Sequence, residues 1–169
     1  IHKKVMFNTK NKLDIKRDYV TCHNSLLKQT GSILSKTKTD THIYPIFHTN
    51  KQIWYSQILQ PFSNKKKVIW TRSGYQKPFY SNKTLGATDL AYYILVNSDE
   101  EGKYIESYLN SELIQYIFNS AKWSGFGDDK VFYTLPDIDN KNINKLLVDD
   151  DIYKLFNITE EEQKFIKNL

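Results

Sequence analysis

The run Tyr92-Tyr93-Ile94-Leu95-Val96, followed at once by Ser98-Asp99-Glu100-Glu101, constrains the fold more than any other feature. Contiguous aromatic and aliphatic residues predict a strand buried on both faces, because a strand with one wet face would alternate. The Ser-x-x-Glu that follows is a capping box, in which the Ser and Glu side chains satisfy the open amides of a helix start. Tyr104, Ile105, Tyr108 and Leu109 then form one apolar stripe. Asn110 or Ser111 can cap a second helix, which Leu113, Ile114, Ile117 and Phe118 carry to about Ala121.

Other elements follow from the same rules. Strands are expected around Val5-Met6-Phe7, at His42–Phe47 (with Pro45 favouring an edge), at Ile53-Trp54-Tyr55 and at Lys67–Thr71. The apolar spacing from Tyr19 to Leu34 predicts a helix interrupted near Gly31. Residues 122–127 read as a loop, and Val131–Pro136 as an extended segment stopped by its proline. Two short helices are expected at about Asp150–Phe156 and Thr159–Leu169, the second opened by a capping box, Thr159-Glu160-Glu161-Glu162. Together these elements predict an α+β fold: a small mixed or mainly antiparallel sheet flanked by helices, with a short helical C-terminal tail. We divide it into a domain over 1–136 and a helical extension over 137–169.

With 169 residues, 40% hydrophobic and 25% charged, the chain can bury one sizeable core. No stretch approaches the roughly 20 apolar residues of a membrane helix. The single Cys22 excludes an internal disulfide and fits a reducing, cytoplasmic setting. The chain does not start with Met, and we expect it to be a piece of a longer protein. Its net charge of +5 hides an asymmetry. Residues 1–90 hold 16 Lys/Arg against four Asp/Glu, a balance of +12, and residues 91–169 hold eight against 15, a balance of −7. A basic half beside an acidic half suggests a polyanion-binding face and a tail that points elsewhere. Lysines that merely solvate a surface would give part of the same pattern.

No catalytic constellation is legible. His2, His23, His42 and His48 have no metal-ligand spacing with Cys22 or with clustered carboxylates. The acidic triplets Asp128-Asp129-Lys130 and Asp137/Asp139/Lys141 have the residue types of a metal-dependent nuclease, but each is one short cluster rather than converging ligands. The stretch Lys65–Tyr80 suits nucleic acid better. Lys65, Lys66, Lys67 and Lys77 are expected at backbone phosphates, and Arg72 can fork onto guanine or a phosphate. Thr71, Ser73, Tyr75, Gln76 and Tyr80 can hydrogen-bond phosphates or base edges. Lys83 and Lys130 are further candidates, while Trp70 and Phe79 read as core. Trp123 and Phe126 have two readings, packing a loop down or wedging near DNA.

A series of short motifs in fixed order runs through the chain. They are Lys67–Tyr80, Gly86-Ala87-Thr88-Asp89 leading into Tyr92–Val96, Tyr108-Leu109-Asn110-Ser111, Lys122-Trp123-Ser124-Gly125-Phe126, and Leu135-Pro136. With the tail Ile152–Glu162, they resemble the C-terminal target recognition region of adenine-N6 DNA methyltransferases of the Taq-type and type IIG restriction–modification class. The resemblance covers about residues 64–169. It implies a target-recognition-domain-like fold and sequence-specific binding of double-stranded DNA. The catalytic motifs of such enzymes are missing: the four prolines, Pro45, Pro61, Pro78 and Pro136, are never adjacent. The resemblance therefore implies no catalysis and no cofactor here, with S-adenosylmethionine and adenine methylation belonging to a catalytic domain of the parent chain, onto which the acidic tail would dock. The alternatives are a metal-dependent nuclease domain and a protein-interaction module with a basic face.

Overall fold

The computed structural model describes all residues except 9, 50, 74, 75, 124, 125, 128, 139–144 and 169, and of residues 123, 126 and 127 the backbone alone. The architecture is α+β. Its central layer is a three-stranded antiparallel sheet, ordered β5 (Phe79–Ser81), β4 (Lys67–Thr71), β7 (Ala91–Leu95). The free edge of β7 is covered by the N-terminal segment, where Lys16 and Tyr93 exchange backbone hydrogen bonds of 2.8 and 3.0 Å.

Successive side chains of β4 point to opposite faces, and both faces are covered, so the strand is buried throughout and apolar from Val68 to Trp70. Val68 and Trp70, with Tyr92 and Ile94, face the helices. Ile69, with Ala91 and Tyr93, faces a second sheet through Phe47, Leu85 and Ala87. That sheet is ordered β1 (Leu34–Ser35), β3 (Ile53–Ser56), β2 (Tyr44–Phe47), β6 (Gly86–Ala87), antiparallel except for β6 beside β2. Its outer face, through Ile46 and Trp54, packs on Cys22, Leu26, Leu27 and Ile33. Pro45 lies on an interior strand, yet β6 pairs only with Ile46 and Phe47, so the proline still sits outside that ladder.

On the other side lie α2 (Asp99–Leu109) and α3 (Glu112–Ser120). Ser98 Oγ accepts from the Glu101 amide, and Ser111 Oγ accepts from the Ile114 amide, as the capping pattern predicts. The C-terminal helices are α4 (Asp149–Leu155) and α5 (Glu160–Lys167), the latter with its reciprocal Thr159/Glu162 capping box. They do not form a separate layer: Ile152, Tyr153, Phe156, Ile158 and Ile166 join the same core as Trp70 and Tyr92. The proposed extension thus packs on the preceding residues.

Four local expectations are overturned. Residues 5–7, expected as a strand, belong to or follow helix α1 (His2–Met6), which buries only Val5 and ends where Lys12 Nζ donates to the Met6 carbonyl. The helix expected over 19–34 reduces to one short 3-10 helix, Asn24–Lys28. Before it, Asp18 Oδ1 accepts from the Val20 and Thr21 amides and stabilises a turn instead; after it, Gly31 has a left-handed φ of 68°. Residues 131–134, expected to be extended, lie in a 3-10 helix, Asp129–Thr134, which buries the adjacent Val131 and Phe132. The expected loop at 122–127 also contains paired strands, β8 (Lys122–Trp123) and β9 (Phe126–Gly127).

Candidate nucleic-acid interface

The two ends of β4 divide the basic stretch 65–80. Five residues of strand separate them by about 13 Å. At the N-terminal end, Lys67 is paired with Ser81, which brings Lys65 and Lys83 to one exposed corner braced by a 2.8 Å hydrogen bond from Thr84 to Asn64. Lys66 lies against the first turn of α2, with Nζ 3.1 Å from Asp99 Oδ1. Tyr80 donates to the same carboxylate; burial and that hydrogen bond raise its pKa to about 12.

Lys67 is a correction. It was expected at a phosphate, but strand alternation turns it with Ile69 into the space between the two sheets, and it is 0% exposed. Its Nζ donates to the Ser63 carbonyl at 2.9 Å. Burial pulls its pKa down to about 8. Thr71, on the same face, is also buried and bonds Ser73 Oγ at 3.1 Å. Neither is on a surface that DNA can reach.

At the C-terminal end of β4, Arg72 continues the ladder through its amide to the Leu90 carbonyl at 3.2 Å. Ser73 and Gln76 are half-buried, and Lys77 is exposed. Tyr75 lies outside the described residues. The loop's exit is anchored where Asn110 Nδ2 donates to the Pro78 carbonyl at 2.7 Å. A small cavity beneath it is lined by Trp70, Arg72, Gln76, Lys77 and Lys122. Trp70 Nε1 and Gln76 Oε1 are buried there with no hydrogen-bond partner among the described residues. Trp70 itself is core, edge-on to Phe132 at 5.8 Å, and Phe79 packs on Phe47 at 5.2 Å; both follow the expectation. Lys130 is exposed on the 129–134 helix, and Trp123 is in β8, with its side chain outside the described residues.

The structure adds residues that the sequence reading missed. Lys122 joins the loop cavity. Lys51 closes the β2–β3 turn in a left-handed conformation, φ 64°, on the far side of Gln76; the polar run Thr49–Gln52 between two strands was the available signal. Arg17 is the third. Its guanidinium lies 4.1 Å from the Tyr19 ring and 5.0 Å from the Tyr92 ring, and donates to the Asp89 carbonyl, to Tyr19 Oη at 2.9 Å and to Asp129 Oδ2 at 3.2 Å. This clamp presents Tyr19 (51% exposed), Val20 (80%) and Tyr133 (41%) at the same end of the sheet as Arg72. Aromatic faces among cations suit nucleic acid.

The acidic clusters behave differently. Asp129 is occupied by Arg17 and by the Tyr92 hydroxyl at 3.1 Å. Asp137 has its carboxyl pushed up by burial. Asp128, Asp139 and Lys141 lie outside the described residues. Among the described residues, no group of three or more His, Cys, Asp or Glu comes together as a metal site. His23 stands 3.3 Å from Asp89 and 2.8 Å from Ser25 Oγ, in the order of a hydrolytic triad. However, its Nδ1 also accepts from the Ser25 amide, so the imidazole serves as the cap of the 24–28 helix. Among the described residues, no helix is long and apolar enough to cross a membrane. No protein-family model matches the chain, and no curated protein matches it.

Proposed function

We propose that this chain recognises double-stranded DNA in a sequence-specific way, as the specificity part of a restriction–modification adenine-N6 methyltransferase whose catalytic domain binds S-adenosylmethionine. The observation that carries the DNA reading is the convergence of cationic and hydrogen-bonding side chains at the C-terminal end of β4. Arg72, Gln76, Lys77 and Lys122 line one short cavity there, and Lys51 stands across Gln76 from it. These are the residue types that pair phosphates and base edges. The methyltransferase assignment rests on the ordered motifs of residues 64–169 alone. The exposed corner of Lys65 and Lys83 would meet phosphates at the opposite end of the sheet.

Fluorescence anisotropy with labelled duplexes tests this. Affinity should fall linearly with the logarithm of salt concentration. Lys77→Ala should weaken all duplexes alike and reduce that slope by about one. Arg72→Ala should weaken the preferred duplex by about 1–3 kcal/mol more than random duplexes. Equal losses on both would make Arg72 a phosphate contact, and salt-independent binding would contradict the interface as drawn.

A further inference from the structure

We infer that the groove between the β2–β3 turn and β5 holds one unpaired nucleotide. The inference rests on the DNA reading above and adds a ligand site to it. The groove is open to solvent, has a volume of about 330 Å3 and is lined by Phe47, Lys51, Ile53, Gln76, Phe79 and Leu85. Its volume is at the lower end of small-ligand sites and matches a single base. Its walls are apolar, and Phe79 is held edge-on against Phe47 so that its ring forms a fixed wall. Ile53, at the start of β3, is 38% exposed although its neighbour Trp54 is buried.

Among the described residues, the polar lining is one cation and one amide, with no carboxylate. That set matches a nucleotide, which offers a flat apolar ring, an edge of donors and acceptors, and an anion. The backbone at Lys51 is held by its turn. Its turn is closed by hydrogen bonds from the His48 amide to the Gln52 carbonyl at 3.0 Å and from the Gln52 amide to the Thr49 carbonyl at 2.6 Å. The left-handed φ of 64° at Lys51 is the conformation that closes a tight hairpin turn of this kind. Gln76 brings its side-chain amide to the rim, with Nε2 donating to the Lys77 carbonyl at 3.1 Å. A base paired within a duplex shows only its edges, so the ring face can enter only when the base is unpaired.

The test compares two duplexes of one sequence at low salt, one fully paired and one with a single bulged adenine, using anisotropy with the full chain. The bulged duplex should bind about tenfold tighter or more, the range of one base–ring contact. Ile53→Ser, at an exposed position, should cut that preference to about twofold or less while the chain still binds the paired duplex. With 2-aminopurine as the bulged base, its fluorescence should change on binding to the wild type and not to Ile53→Ser. Equal binding of both duplexes would overturn the inference and leave the duplex reading intact. A preference that survives Ile53→Ser would place the base elsewhere and also overturn it. Failure to bind either duplex would overturn the DNA reading together with this inference.

Discussion

Lys67 shows how one residue can be misplaced by its neighbours. In the run Lys65-Lys66-Lys67 the three look equivalent, but only the third is inside the strand, where alternation decides its direction. Its burial has a pH signature. The folded pKa of about 8 lies below the ordinary 10.5, so between these values the unfolded chain binds a proton that the folded chain does not. Stability contributed at this site therefore rises with pH from about 8 to 10.5, and the burial penalty is complete below 8. Lys67→Met keeps the volume and removes the charge, and the Ser63 carbonyl keeps its other donor, the Leu85 amide at 2.9 Å. The variant should be more stable than wild type by about 1–2 kcal/mol at pH 7 in urea denaturation. The difference should shrink toward zero by pH 10.5. A destabilised variant at pH 7 would mean that the ammonium is compensated by something other than Ser63.

Among elements, the helices and central strands were legible because each carries its own signals. β4 and β7 were readable as unbroken apolar runs, and α2, α3 and α5 from their caps. The N-terminal third was not, because its order comes from long-range partners. Asn24 is held by Asp89, and Lys16 by Tyr93, pairings that no local spacing encodes. The candidate interface divides in the same way: Arg72, Gln76 and Lys77 lie in one stretch of chain, whereas Lys51, Lys122 and Arg17 reach that end of the sheet only through the fold. The fit of α2 onto β5 can be tested directly. Gly102 lies mid-helix, where Ala would ordinarily add about 1 kcal/mol. Here a Cβ would run into the Tyr80 ring. Gly102→Ala should instead destabilise by about 1–3 kcal/mol. Most of that loss should disappear in the double variant with Tyr80→Ala, as a double-mutant cycle would read. Independent losses would mean that the two residues do not share a contact.

At the scale of the molecule, the two chain ends are tied together. Lys4 Nζ bonds Glu162 at 2.6 Å and the Asn157 carbonyl at 2.8 Å, and α4 and α5 bury Ile152, Phe156, Ile158 and Ile166 in the main core. Each such side chain contributes about 1.5–3 kcal/mol, so four together approach the whole stability of a small domain. Removing residues 149–169 should therefore abolish cooperative unfolding, seen as loss of a single urea transition common to fluorescence and circular dichroism. A remnant that still unfolds cooperatively would support the division into a domain over 1–136 and an extension. The charge asymmetry also belongs to this scale: under the proposed function, the basic first half would meet the polyanion and the acidic second half would turn from it.

The measurement that bears most directly on the central claim is selection from a random-sequence duplex pool at low salt, with sequencing of the bound fraction. We predict an enriched motif whose binding weakens steeply with salt and depends on Arg72. Absence of any duplex binding at low salt would contradict DNA recognition by this chain.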